Sequence, residues 1–180
     1  MAGKGVPAAL FAAFASGTVR SRAFERRGPA DLMQRVNRTL RRKGIEGLFC
    51  TLAYALFDFP DQTLRVANSG LPHPAHYRAA AGRAVPIEVS GLPLGTFDGV
   101  SYEEVSVPLG MGDLVVFYTD GLVEARRGQE EYGQDRLLRG LPHRREGALV
   151  ARVIATRAPV SRITRAVRYT AVFGRANWLC

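Results

Sequence analysis

The chain has 180 residues, a mass of 19.6 kDa and an apolar fraction of 47%, which suits one soluble domain with a substantial core. No window holds the roughly 18 to 20 uninterrupted apolar residues that a membrane helix needs, and the first residues lack the order of a secretory signal. We therefore expect a cytoplasmic protein with no membrane partner. Cys50 and Cys180 are too few and too far apart for a disulfide framework or a metal knuckle.

The net charge of +9 raises the question of a nucleic-acid partner, because clustered Lys and Arg are rewarded by counterion release. Two arginine clusters, around Arg22 and Arg41, fall where helices are predicted to end, and cations suit the dipole there. No known reader motif or aromatic stacking pattern accompanies them. We therefore expect no nucleic-acid partner. The stretch after Glu146 is different, since it holds six arginines and no acidic residue.

Two amphipathic helices are predicted at the start of the chain. The first runs from Pro7 to about Ala23, with apolar residues at helical spacing after a glycine-rich entry. The second begins at Gly28-Pro29 and stops at Gly44. Both should turn an apolar face to a core.

From residue 48 onward the period changes to that of strands. Residues 48–59 and 63–68 flank a Pro-Asp turn and predict an antiparallel hairpin. Further strands are predicted at 74–78, 85–89, 102–107 and 114–118, helices at 134–141 and 146–157, and a last strand within 163–173. This order predicts an α+β layered sandwich in a single domain, residues 1–180.

The most informative segment is GDLVVFYTDGLVEA at residues 112–125, in which a buried strand delivers Asp120 at its end. Gly121 then lets the backbone turn sharply, so that the carboxylate faces a site. Taken alone, an Asp-Gly pair after a strand is more often a simple turn. The rest of the chain decides between these readings.

Four segments carry a resemblance to one family, in the same order and with consistent spacing: GKGVPAALF at 3–11, TLAYALFDFPDQTLRVANSGLPHPAHYR at 51–78, GLPLGTF at 91–97 and GDLVVFYTDGLVEAR at 112–126. They resemble the bacterial branch of the 2C-type (PPM-type) metal-dependent serine/threonine phosphatases, which includes the sporulation stage II protein E and the sigma-factor regulatory phosphatases. The resemblance covers residues 1–141, and residues 142–180 diverge.

The resemblance implies an α-β-β-α layered sandwich, two antiparallel sheets flanked by helices, here lacking the first strands. It also implies two divalent cations, Mn²⁺ or Mg²⁺. A water molecule bound by both ions would attack the phosphorus of a phosphoserine. Two adjacent cations lower the pKa of a bridging water and orient it, and hard carboxylate oxygens suit these ions. The implied partner is a phosphorylated regulatory protein of the anti-sigma-factor antagonist type, and the oligomeric state stays open.

The resemblance implies a role for each residue that matches a position in the family's motifs. Asp120 matches the family's metal-binding aspartate, and Gly121 the glycine that follows it. Gly3, Lys4 and Gly5 match the glycine-rich loop that follows the family's first metal-binding aspartate. No catalytic side chain is assigned. His73 is interpreted as a turn histidine, although histidine as a residue type also suits the role of a general acid.

Two departures fall on metal ligands. The family pattern Gly-Asp-Val/Met-x-Gly-Lys-Gly begins here at Met1, after its aspartate, and the pattern Ala-Pro-x-x-Asp-Asp-Ile-Thr has Arg162 where carboxylates are expected. An arginine beside divalent metal ions repels them, whereas a carboxylate at the same place would bind them. Two hypotheses therefore stay open: a phosphoserine phosphatase, or a catalytically inactive or truncated member that acts at most as a binding module.

Overall fold

The computed structural model describes residues 5–25, 27–43 and 47–141, together with two strands at 152–153 and 170–173. The helices are α1 (Val6–Ala23), α2 (Pro29–Lys43), α3 (Asp120–Val123) and α4 (Gln134–Gly140). The strands are β1 (Leu52–Asp58), β2 (Thr63–Asn68), β3 (Ala75–Arg78), β4 (Arg83–Pro86), β5 (Val105–Pro108), β6 (Leu114–Phe117), β7 (Arg126–Arg127), β8 (Glu130–Glu131), β9 (Arg152–Val153) and β10 (Thr170–Phe173).

The strands form two four-stranded sheets and one small hairpin. The first sheet has the order β10-β1-β2-β5, and the second has the order β4-β3-β6-β9. Among the described strands, β6 and β9 pair in parallel and the other pairs are antiparallel. Strands β7 and β8 pair apart from both sheets. The predicted β1–β2 hairpin is confirmed, with a register that runs from Ala53↔Asn68 to Asp58↔Thr63.

Three apolar clusters show that the elements stack in four layers. Helices α1 and α2 cover one face of the first sheet, where Phe11 and Met33 pack with Leu52 and Tyr54. The two sheets face each other through alternate residues such as Val66 and Val115, because successive strand residues point to opposite faces.

The outer face of the second sheet is covered by the helices that follow β6. A third cluster there joins Val116 and Tyr118 to Leu137 of α4 and to Leu122 of α3. The predicted α+β class and α-β-β-α layering are confirmed.

Three predicted elements need correction. The strand predicted at 85–89 is β4 at Arg83–Pro86, and the strand predicted at 102–107 is β5 at Val105–Pro108. Residues 152–153, in the middle of the helix predicted at 146–157, instead form β9, because β6 offers an edge that β9 joins in parallel and β-branched Val153 suits a strand. The other residues of that predicted helix lie outside the described residues.

Within the described residues, no helix combines the length and the apolar character that crossing a membrane requires.

Candidate active site

Asp120 lies just beyond the end of a buried strand, as the sequence predicts. The β6 residues Val115 and Val116 are each 3% exposed, while Asp120 itself is exposed. It is the first residue of α3, and an acidic group at that position suits the helix dipole. The amide of Gly121 donates a hydrogen bond to Asp120 Oδ1 at 2.9 Å. The second carboxylate oxygen has no hydrogen bond within the described part of the chain.

Gly121 is the second residue of α3, and its backbone is not in the left-handed region. A Cβ at this position would lie 3.8 Å from Thr119 Oγ1, which is an ordinary contact. The expectation that this glycine allows a sharp turn is therefore wrong in its physical reason, because the chain turns by starting a helix.

Gly5 directly precedes α1, and its φ of 81° lies in the region that favours glycine. Its carbonyl oxygen accepts a hydrogen bond from the amide of Ala9 at 3.2 Å, which closes the first turn of the helix. The predicted helix start after a glycine-rich entry is thus confirmed. Gly3 and Lys4 lie outside the described residues.

Strand registers place several of the family-like segments at one end of the sandwich. In the second sheet, the start of β3 and the end of β6 meet, because Ala75 pairs with Val116. The end of β2 is joined to the start of β3 by a short turn, so Asn68 lies at this end as well. We call this the Asp120 end.

The loop at 91–98 packs across the Asp120 end and ties it to the helices. Leu94 and Cys50 exchange two backbone hydrogen bonds of 2.8 and 3.0 Å at the entry to β1. Buried Asn37 of α2 accepts a hydrogen bond from the amide of Gly95 at 2.7 Å and donates one to the carbonyl of Phe97 at 3.0 Å. A Cβ placed on Gly95 would lie 3.9 Å from the ring of Phe11 in α1. The N-terminal half of α1 is therefore at this end too.

The described residues do not by themselves fit a metal centre of the implied kind. None of them form a group of three or more His, Cys, Asp or Glu side chains that is able to hold a metal ion. Asp120 alone offers one carboxylate, whereas Mg²⁺ needs near-octahedral oxygen coordination and a two-metal site needs bridging ligands. Arg162 and the segment around it lie outside the described residues.

The histidines have structural surroundings. His73 lies in the turn before β3, where its Nδ1 accepts a hydrogen bond from the amide of Val89 at 3.2 Å. His76 is 1% exposed between the sheets, and its Nε2 lies 2.8 Å from Asp113 Oδ2. No local sequence pattern reveals this buried pair, because the two residues are 37 positions apart and only the pairing of β3 with β6 brings them together.

Comparison with known proteins places this geometry in a family. Phosphoserine phosphatase RsbU of Bacillus subtilis (strain 168) is 26% identical over 124 residues, which are 69% of this chain and 37% of RsbU. The structure of the RsbU and RsbW domains of Rv1364c from Mycobacterium tuberculosis is similar with a TM-score of 0.62 and 26% identity, over 72% of this chain and 36% of that one.

A second solved structure shows the same fold at lower identity. The PP2C phosphatase domain of SpoIIE from Bacillus subtilis, solved with a fragment of its regulatory domain, has a TM-score of 0.62 at 18% identity, over 73% of this chain and 39% of that one. The chain thus spans somewhat over a third of each of these relatives. The model of the stage II sporulation protein E (SpoIIE) family matches residues 1–165, and the chain belongs to that family.

Proposed function

We propose that this chain serves in a metal-dependent phosphatase that hydrolyses a phosphoserine on a regulatory protein of the anti-sigma-factor antagonist type. Family membership and the likeness to phosphoserine phosphatase RsbU support the reaction class. The observation that carries the proposal is that Asp120 follows a buried strand at the same end of the sandwich as α1's glycine entry and the loop at 91–98.

We further propose that Asp120 contributes one carboxylate to a site for Mn²⁺ or Mg²⁺, and that Gly3, Lys4, Gly5 and Gly121 shape its rim. The exposed position of Asp120 at a helix start supports this role, because its carboxylate is accessible to a cation. Such a site needs more oxygen ligands than Asp120 supplies. The metal requirement is therefore the first property to measure.

The test is release of phosphate from a phosphoserine peptide with Mn²⁺, with Mg²⁺ and with EDTA. We expect Asp120→Asn to lower a metal-dependent rate by at least about 100-fold, because the amide that replaces the carboxylate carries no charge for the cation. Asp61→Asn is the matched control, since Asp61 is an exposed aspartate in the turn between β1 and β2. Equal rates for both variants would show that Asp120 is not a metal ligand of the site.

A second candidate function is a catalytically inactive member that acts as a binding module. It is favoured by the lack of a metal-binding group within the described residues and by Arg162 in the place of carboxylates. It predicts no phosphate release and no Mn²⁺ binding in calorimetry by the unmodified chain. Tight Mn²⁺ binding would exclude it, and a rate gained by Arg162→Asp would identify the arginine as the cause of inactivity.

A further inference from the structure

The C-terminal turns of α2 carry an unusual concentration of positive charge. Arg38, Arg41, Arg42 and Lys43 are all exposed, and residues 38–43 contain no acidic side chain. Arg41 binds Asp98, with 2.9 Å between Nη2 and Oδ2. Within the described residues, the other three cations have no hydrogen bond or ion pair. We call these three, Arg38, Arg42 and Lys43, the α2 basic cluster.

The helix dipole accounts for only part of this cluster. One or two cations in a last turn stabilise a helix, but Arg38 and Arg42 are four residues apart, where like charges repel. The cations near the start of α2 are arranged differently, because Arg35 binds Asp31 at 2.7 Å and Arg22 of α1 binds Glu25 at 2.7 Å. The cations near the start of α2 are therefore paired with carboxylates, whereas the α2 basic cluster at its other end is not.

The cluster has a fixed place at the Asp120 end. Asn37 joins the same stretch of α2 to the backbone of the loop at 91–98 through two hydrogen bonds, and Arg41 joins it to Asp98. The carboxylate of Asp98 responds to this charge, since its hydrogen bond from Arg41 holds its pKa below the ordinary value and the nearby Arg42 lowers it further. The cluster is therefore held on a packed helix at the same end of the sandwich as Asp120.

We propose that the α2 basic cluster docks an acidic surface around the phosphoserine of the protein substrate; this inference rests on the proposed function. A phosphoserine carries about 1.5 to 2 negative charges near pH 7, and acidic neighbours add to that field. Clustered cations at the border of a site attract such a surface, raise its local concentration and orient it. The cluster thus selects phosphoserines that lie among acidic residues over those in neutral surroundings.

The experiment measures binding in EDTA, so that it does not depend on hydrolysis. Two fluorescein-labelled phosphoserine peptides of equal length, one flanked by glutamates and one by glutamines, are titrated with the full chain and followed by fluorescence anisotropy. The test variant is Arg38→Gln/Arg42→Gln/Lys43→Gln. The control Arg20→Gln/Arg78→Gln/Arg83→Gln removes the same charge at exposed positions in the last turn of α1 and at the far end of β3 and β4.

We expect the unmodified chain and the control to prefer the glutamate-flanked peptide, and the test variant to bind it about tenfold more weakly at low salt. Raising the salt from about 50 mM to about 500 mM should remove most of the difference, because exposed charges are screened. Melting temperatures check that all three proteins are folded.

Equal loss in the test variant and the control, or no binding of the glutamate-flanked peptide by the unmodified chain, would overturn the inference. Phosphate release is assayed separately. Selective binding without any hydrolysis would keep the docking surface and contradict the proposed function. Hydrolysis by the unmodified chain, together with unchanged binding of the glutamate-flanked peptide by the test variant, would keep the proposed function and contradict the docking surface.

Discussion

At the scale of single residues, Gly91 shows that close backbone packing at the Asp120 end requires a residue without a side chain. A Cβ at this position would lie 2.1 Å from the carbonyl oxygen of Asn68, far inside van der Waals contact. Asn68 is itself held in place, because its Nδ2 donates hydrogen bonds to the carbonyls of Leu71 and Val89. The backbone of the loop at 91–98 is therefore able to approach the end of β2 only without a side chain.

Gly91→Ala should lower the free energy of unfolding by about 1 to 3 kcal/mol, because a methyl group forced into packed backbone strains its surroundings. Gly17→Ala is the matched control: Gly17 is exposed in α1, and a Cβ there meets nothing within 4 Å. The control should gain about 0.5 to 1 kcal/mol, since alanine favours helix over glycine. Urea unfolding of both variants measures these changes, and equal stability would show that the loop shifts freely.

At the scale of elements, α2 begins with help from a distant side chain. Glu104, in the loop before β5, accepts a hydrogen bond from the amide of Ala30 at 3.1 Å. Its other oxygen binds Arg65 of β2 at 3.3 Å. The first amides of a helix have no partner within the helix, and an anion there suits the dipole. Glu104 thus caps α2 and joins it to the sheet that it covers.

Glu104→Ala should destabilise the protein by about 0.5 to 2 kcal/mol, the range for loss of a helix cap. Glu104→Gln should lose less, because an amide oxygen still accepts the hydrogen bond of Ala30. Glu103→Ala is the matched control, since Glu103 is the exposed neighbour of Glu104. Thermal melts at low salt compare the three variants, and equal melting temperatures for Glu103→Ala and Glu104→Ala would show that the cap contributes nothing.

The sequence predicted the elements with clear periods and missed those that depend on tertiary contacts. Helices α1 and α2 and the β1–β2 hairpin follow from apolar spacing and from Pro and Gly at their ends. The four-residue α3 and the two-residue strands β7 and β8 are too short to show a period. Strand β9 depends on the free edge of β6, which no local pattern reveals.

The candidate site was predictable as a place but not as a set of contacts. Asp120 lies at the strand end that the sequence indicates, because a buried apolar run followed by an acid is a local signal. The sequence indicates no role for Asn37 and, for the cations of α2, only a favourable interaction with the helix dipole, since their place at the site arises only when the loop at 91–98 packs against the helix. Asp113 carries no local signal either, since only the pairing of β3 with β6 brings it to His76.

At the scale of the whole molecule, the layer between the two sheets contains a buried pair of ionisable groups, His76 and Asp113. His76 is 1% exposed and Asp113 is 7% exposed. The carboxylate of Asp113 accepts hydrogen bonds from the amides of Ala79 and Gly110, at 2.8 and 2.9 Å, and lies 2.8 Å from His76 Nε2. It thereby joins the end of β3 to the turn before β6, at the end of the sandwich opposite to Asp120.

These contacts make the stability of the fold depend on pH. Burial acts to raise the pKa of Asp113, but the hydrogen bonds from Gly110 and Ala79 and the contact with His76 outweigh it and hold the pKa below its ordinary value. A carboxylate whose pKa is lower in the folded state stabilises the fold above the unfolded pKa of about 3.9. That contribution is lost as the pH falls from there through the lower, folded value.

Asp113→Asn should therefore be less stable than the unmodified protein near pH 7, and the difference between them should shrink as the pH falls below about 4. Asp61→Asn, at an exposed position in the β1–β2 turn, is the control and should follow the unmodified protein throughout. Urea unfolding between about pH 3 and pH 7 measures all three. A constant gap between the Asp113→Asn curve and that of the unmodified protein would show that the carboxylate titrates alike in both states, and the hydrogen bonds of Asp113 would then act only as neutral contacts.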